Sequence, residues 1–401
     1  VLTVDEYRER LLASVSRLAP LQLPLPQAHG CVLAVDVMAP WPLPSFDNSS
    51  MDGYAVLAAD VSDATAATPV ELRVLGDVPA GSRAVEPVVP GTAIRIMTGA
   101  PLPEGADAVV PVESTDGGMV TVQITASVPA GASIRRAGED VTSGEVVMKA
   151  GTLIGARQVA LLAAVGAGHV LAHPRPRVAV ISTGSELVDP GQPMKFGQVA
   201  DSNSHLLVTA CREVGADAYR VGPIADDEDA FLAAVEDQIH RCDLIITSGG
   251  VSMGAYDTVK TVFSRLGTVE FLKVAMSPGM PQGFGFVGEE EVPVITLPGN
   301  PVSSYISFEN FVRPAIQRMR GVAQEQHPTV EATSGSDISS PLGKRQFVRA
   351  QFLADGVVSP VGTGQGSHVL GGLAAAEALI VIAEDVERVA AGDSVEIIDL
   401  R

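Results

Sequence analysis

The sequence predicts a multidomain α/β-plus-β protein. It should have a central parallel α/β sheet domain, an inserted β-rich domain, a small α/β N-terminal domain and a C-terminal β-barrel. Three observations carry this reading. From residue 177 to 320, short apolar runs alternate with helical patterns, as in a parallel sheet with right-handed crossovers. On both sides of that stretch, short β-rich runs lie between Gly, Pro and Asp turns. The 401 residues also leave room for two to four domains with a sizeable core. The expected divisions are 1–45 with 141–175 as a discontinuous N-terminal domain, 46–140 as the inserted domain, 176–323 as the central domain and 324–401 as the barrel.

At the N-terminus, Thr3 and Glu6 form a capping box, and Val4, Tyr7, Leu11, Val15 and Leu18 recur at helical spacing. The proline-rich run 20–26 ends that helix. A second proline cluster, Pro40-Trp-Pro-Leu-Pro44, reads as an extended connector, with Trp41 as its packing anchor. Residues 70–74, 92–96 and 119–124 read as strands. Two polar segments, Phe46-Asp-Asn-Ser-Ser-Met-Asp-Gly-Tyr54 and Met97-Thr-Gly-Ala-Pro101, read in isolation as hairpin tips. Next come a hairpin-like pair (146–148 with 152–154), a helix at 156–165 and a strand before Pro174. This layer is expected to pack on the N-terminal helix, which makes the β module an insertion. Helices follow near 204–214, 229–240, 258–266 and 302–320, with Pro314 kinking the last. A polar linker from 324 to about 339 leads to barrel strands at 346–352, 379–382 and 394–398.

Charge narrows the function classes. With 47 Asp and Glu against 27 Lys and Arg, the net charge is −20. That disfavours nucleic acid or an anionic membrane surface as main partner, because both need basic patches. An anionic substrate would need locally arranged donors. Cys31, Cys211 and Cys242 lie far apart without a Cys-x-x-Cys, and read as buried thiols in a reducing compartment. The N-terminus shows no charged-then-apolar leader, and 159–172 is too short and glycine-broken to span a bilayer. A cytoplasmic protein without membrane insertion is the expectation.

Three loops in the central stretch carry the chemistry. Thr247-Ser-Gly-Gly-Val-Ser-Met-Gly254 follows an apolar run; Gly249 and Gly250 allow close approach of backbone to a ligand, and Ser248 and Ser252 add hydroxyl donors. Asp257 beyond it can hold a divalent cation through oxygen. Ser182-Thr-Gly-Ser-Glu-Leu187 leaves the run 178–181. Pro298-Gly-Asn-Pro301 follows 293–297, with Asn300 as N-cap and Pro301 at the first helical position. The N–H groups of Val302, Ser303 and Ser304 would then face an anion. Since ligands in open α/β sheets bind beyond the carboxyl ends of strands, all three loops should share one crevice. No G-x-G-x-x-G follows any strand, and Val259 stands where a P-loop needs its second glycine. In the barrel, Gly364-Gln-Gly-Ser-His368 is the one chemically notable tract, with Arg349 available to approach it; His368 itself reads more readily as a hydrogen-bonded structural residue.

Five segments together resemble the molybdopterin molybdenumtransferase family, which comprises the bacterial MoeA proteins and the E domain of gephyrin. They are Asp47-Asn-Ser-Ser-Met-Asp-Gly-Tyr-Ala55, Arg95-Ile-Met-Thr-Gly-Ala-Pro101, Arg136-Ala-Gly-Glu-Asp140, Thr247-Ser-Gly-Gly-Val-Ser252 and Leu297-Pro-Gly-Asn-Pro301. The resemblance spans nearly the whole chain, in the family's order. It implies a central domain of the molybdopterin-binding type and an elongated homodimer. The cleft would lie between the central domain of one chain and the β module of the other. The implied reaction is Mg²⁺-dependent insertion of molybdate into adenylyl-molybdopterin, with release of AMP.

By the same resemblance, Asp52, Thr98, Asp140, Glu186, Asp226 and Asp257 are catalytic, and Glu186, Asp226 and Asp257 hold the metal. Ser182, Thr183, Gly184, Ser248, Gly249, Gly250, Ser252, Pro298, Gly299, Asn300 and Pro301 hold pterin and nucleotide phosphates. Lys273, Arg349 and Ser367 match positions near anionic groups. The chain also departs from the family. Ser277-Pro-Gly-Met-Pro281 replaces Lys-Pro-Gly-Lys-Pro, Ser185 replaces an aspartate, and Ala376-Glu-Ala378 stands where Ala-Asn-Gly is usual. A lost charge-assisted contact costs on the order of 1.5–3 kcal/mol, so two amount to roughly a hundredfold or more in affinity. Two classes follow: an enzyme in which Lys273 and Arg349 carry the anion, or a gephyrin-like dimeric scaffold. The scaffold would bind a short peptide of a tubulin-like division protein, a cytoskeletal protein or a membrane receptor.

Overall fold

The computed structural model describes residues 1–249, 258–354, 356–362 and 364–401. The helix Val4–Ser14 begins as expected. The Thr3 hydroxyl accepts the Glu6 amide at 3.1 Å, and the Glu6 carboxylate accepts the Thr3 amide at 2.7 Å. Its apolar face, Val4, Tyr7 and Leu11, is buried against the central domain, with Tyr7 edge-to-face on Phe311 at 4.8 Å. The expected packing of this helix on the 141–176 layer is therefore corrected. That layer has its own small core, made of Ala28, Cys31, Leu33, Met148, Ile154 and Leu162 with neighbours.

In the layer, His169–His173 lies between Leu21–Pro24 and Val32–Leu33, antiparallel to both. Val146–Met148 pairs with Val37–Met38, and Leu153 bridges Val32. The expected 146–148/152–154 hairpin does not form, because both segments are taken by strands from before the β module. Trp41 donates to the Ala164 carbonyl and lies so close over Gly166 that a Cβ there would sit 2.3 Å from the ring. The β module is a five-stranded sheet in the order Ala108–Pro111, Gly53–Val56, Thr92–Ile96, Val70–Val78, Thr121–Ile124. Its two faces build separate apolar clusters around Tyr54 and Ile94.

The central sheet runs Asp217–Ile224, Arg177–Thr183, Leu244–Ser248, Val292–Leu297, Pro281–Val287, Glu270–Lys273. The first four strands are parallel and the last two antiparallel. Only 288–291 separates Pro281–Val287 from Val292–Leu297, which is too short for a crossover and forces an antiparallel hairpin. Helices cover both faces. Asn203–Glu213 and the 301–320 segment enclose one core, and Glu228–Ile239 with Thr258–Leu266 the other. The 302–320 helix is not one kinked rod: a π-helical turn, Phe308–Val312, interrupts it before Pro314. A widened turn accommodates a proline that has no amide to donate, and the Asn310 side chain occupies the Ile306 carbonyl at 2.8 Å.

The C-terminal strands close a five-stranded barrel: Arg345–Ala354, Val357–Pro360, Thr329–Ser334, Ser394–Asp399, Ala378–Ile382 and back to Arg345–Ala354. The expected linker 324–339 contains one of these strands. Only Ala332 and Ser334 of Thr329–Ser334 turn inward, so it carried little apolar signal. Met276–Ser277, from the central domain, adds to the barrel beside Arg345 and Gln346. All three cysteines are buried and unpaired, and burial pushes the Cys242 thiol up to about 12. Among the described residues no helix is long and apolar enough to cross a membrane.

Candidate functional site

The three central strands end side by side, and glycine lets their loops meet. Gly249 has φ +99° and donates to the Leu297 carbonyl at 3.1 Å. A Cβ on it would lie 2.9 Å from the Thr183 carbonyl oxygen, and one on Gly299 would lie 3.6 Å from the Gly249 Cα. Gly184 sits under the Glu186 carboxylate, 2.8 Å from where a Cβ would stand. At Gly249 the left-handed φ and the backbone contact together require glycine.

Above the loops opens a cavity of about 840 Å³. It is lined by the predicted Ser182, Thr183, Gly184 and Glu186 from the first loop, Asp226 from the end of Asp217–Ile224, and Ser248 and Gly249. Pro298, Gly299, Asn300 and Pro301 form another wall. The expected single crevice is thus present. Gly250, Ser252 and Asp257 lie outside the described residues. Ser185 exchanges two bonds with Asp226: its amide donates to the carboxylate and its hydroxyl accepts the Asp226 amide, both at 3.1 Å.

Some expectations change. The Asn300 side chain makes no capping bond; it donates to the Ser367 hydroxyl at 3.0 Å. The Val302 amide donates to the Ser367 carbonyl at 3.1 Å, and that of Ser304 to the Asn300 carbonyl at 2.9 Å, so neither faces an anion. Ser367 therefore ties a barrel loop, 364–369, onto the helix start. Arg349 is fully buried and does not approach the cavity. Its guanidinium donates to the carbonyls of Gly364, Gly366 and Val369 and to the Gln365 side chain. Lys273 ends an edge strand, exposed, and is not part of the cavity wall.

Asp52, Thr98 and Asp140 belong to the β module and do not line this cavity. Asp52 and Thr98 do meet each other. The Thr98 amide and hydroxyl both donate to one Asp52 oxygen, at 2.7 and 2.8 Å. The amide bond first, then the hydroxyl, holds the Asp52 carboxyl below the usual carboxylate range.

Sequence reasoning missed Asn203. Its side-chain amide donates to the Ser248 hydroxyl at 2.7 Å and the Gly299 carbonyl at 2.6 Å, joining two loops. Its buried Oδ1 has no partner among the described residues. Just before it, the buried Asp201 carboxylate accepts Ser182 and Ser204, with Arg220 alongside at 3.3 Å. The available signal was Asp201-Ser-Asn-Ser204 at a helix start, a run of side chains suited to bonding nearby backbone.

Glu186 and Asp226 present hard oxygen donors to one cavity. That suits a magnesium ion, which uses one or two carboxylates together with substrate phosphates. Among the described residues no cluster of three metal-binding side chains occurs.

Comparison with known proteins agrees with this geometry. Residues 2–166 match the family model of the MoeA N-terminal region (domain I and II), 179–318 a probable molybdopterin binding domain, and 331–400 the MoeA C-terminal region (domain IV). The chain is 47% identical over 406 residues to molybdopterin molybdenumtransferase 2 of Mycobacterium tuberculosis, covering 99% of each. It is 34% identical over 408 residues to the molybdopterin molybdenumtransferase of Haemophilus influenzae, covering 99% of this chain and 98% of that one. The crystal structure of a molybdopterin biosynthesis MoeA protein from Pyrococcus horikosii superposes with a TM-score of 0.81 at 31% identity, covering 100% of this chain and 99% of that one. A full-length match in sequence and in fold, with the family's loops meeting at one cavity, places this chain in the molybdopterin molybdenumtransferase family of molybdenum cofactor biosynthesis.

Proposed function

We propose that the chain is a Mg²⁺-dependent molybdopterin molybdenumtransferase that inserts molybdate into adenylyl-molybdopterin and releases AMP. The observation that carries this reading is the cavity where three glycine-bearing loops meet two carboxylates, Glu186 and Asp226. Within it, backbone at 182–184, 248–249 and 298–301 binds and orients the pterin adenylate. Asn203 holds two of these loops together, and the Ser185 bonds fix the Asp226 carboxylate. Glu186 and Asp226 would hold the magnesium, which supplies charge neutralisation of the adenylate when bound. The test is AMP release from adenylyl-molybdopterin with molybdate and Mg²⁺ present; a purified chain that releases none overturns the reading.

The working unit is a homodimer in which Asp52 and Thr98 complete the partner's cavity. The motive is their placement: an exposed carboxylate, kept ionised by Thr98, in a module that does not line its own chain's cavity. Mixing Thr98→Ala chains with Asp226→Asn chains should restore up to about a quarter of wild-type turnover, since random pairing makes half the dimers mixed, each with one intact cleft. Mixed dimers that form and stay inactive would exclude a shared cleft.

Ser277 and Met280, where the family has lysines, are half-buried in the loop leading to Pro281 at the cavity wall. Ser277→Lys with Met280→Lys should lower the molybdate concentration needed for half-maximal turnover by roughly tenfold or more, each ammonium adding a charge-assisted donor. An unchanged molybdate dependence would mean that the anion is held elsewhere.

A further inference from the structure

The cavity has an imbalance of charge. Glu186, Asp201 and Asp226 are among the described residues lining it, and none of these described residues is a lysine or arginine. Arg220 turns to Asp189 and Asp201, and Arg349 is spent on carbonyls beneath the 364–369 loop. Among the described lining residues, one side chain can become a cation: His368. It is contributed by the barrel and faces the cavity it shares with Glu186, from the loop after Arg177–Thr183, and with Asp226.

The loop bearing His368 is held from both sides. Ser367 accepts the Asn300 side chain and the Val302 amide from the central domain. From below, Arg349 gathers the carbonyls of Gly364, Gly366 and Val369. The ring itself lies over Gly366, where a Cβ would come within 3.0 Å of its Cε1. A buried arginine, a glutamine, an asparagine and a serine thus fix a loop whose His368 side chain stands at the cavity.

We propose that the His368 imidazole is an anion-binding group of this cavity, taking a phosphate-class oxyanion of the adenylate alongside the 298–301 loop. The proposal rests on the transferase reading for the identity of that anion. An imidazolium gives such an oxyanion a charge-assisted hydrogen bond, which a neutral ring does not. Arg349, Gln365 and Ser367 act as positioning residues.

The probe is the methyl ester of AMP, a diester whose single charge does not titrate across this range. Its affinity is measured by calorimetry at about pH 5.5 and about pH 8.5, where histidine is mostly protonated and mostly neutral. The wild type should bind roughly tenfold or more tightly at the lower pH, the loss expected for one charge-assisted contact. His368→Gln should bind equally at both values, at the weak wild-type level, whereas His368→Lys should bind tightly at both. A His368→Gln protein that keeps the wild-type affinity or its pH dependence overturns the assignment, as does a wild type whose affinity is flat or undetectable. Binding is separable from turnover. A chain with this binding profile that releases no AMP refutes the transferase reading alone, and one that turns over with pH-independent binding refutes the role of His368 alone.

Discussion

Asp226→Asn should lower Mg²⁺-dependent AMP release by at least about a hundredfold while leaving the protein folded. The fold survives because asparagine keeps an oxygen to accept the Ser185 amide, and the Asp226 backbone amide still reaches the Ser185 hydroxyl. What it removes is one of three carboxylate charges lining the cavity. Charge neutralisation by a bound metal is worth several kcal/mol in a transition state, and each 1.36 kcal/mol is a factor of ten in rate. Two measurements check this: AMP release against Mg²⁺ concentration, and Mg²⁺ binding by calorimetry without substrate. Both should weaken together. If release is unchanged, or if Mg²⁺ binds the variant as tightly as the wild type, Asp226 is not a metal ligand. Thermal unfolding of the variant should stay within about a kilocalorie of the wild type, as for a substitution that keeps its hydrogen bonds.

The roles of Glu186 and Asp226 came from the family resemblance, whereas the three loops were legible because each signal is contiguous. An apolar strand, a glycine turn and a polar residue fall within ten positions, and sheet topology alone then brings the strand ends together. The barrel's part in the site was not legible in this way. His368 is 67 residues from Pro301, and what joins them is a side-chain bond from Asn300, a residue whose local role would be a cap. Local and tertiary partners compete for the same amide, and sequence shows only the local option. Asn203 escaped for the same reason: its two acceptors, Ser248 and the Gly299 carbonyl, come from different strands. The N-terminal helix shows the limit for packing. Its capping box and apolar stripe were plain, but an apolar stripe does not say which of several domains it will cover.

Arg349 gives the sharpest contrast between sequence and structure, and the second large effect. From sequence it was expected both to approach the 364–368 tract and to lie near an anion; the first holds, since in the fold it is a buried organiser of the 364–369 loop. Arg349→Met should destabilise the barrel by about 1–3 kcal/mol or more, the range for each buried acceptor left without a donor. The carbonyls of Gly364, Gly366 and Val369 and the Gln365 side chain would each lose the guanidinium, although the residue 349 amide still reaches Gln365 and the Val369 amide still reaches Gly366. Arg349→Lys should recover only part of this, since a single ammonium cannot span the acceptors a planar guanidinium reaches. Urea unfolding followed by a probe in the barrel gives the stability change, because a multidomain chain need not unfold as one unit. Amide hydrogen exchange over 364–369 gives the loop's order, which should drop in Arg349→Met before the barrel itself opens. Anion binding should then weaken through loss of the position of His368, and raising the protein's stability with a neutral osmolyte should restore part of it. A variant with wild-type stability and an ordered loop, yet weak anion binding, would instead make Arg349 a direct ligand that turns into the cavity when substrate arrives.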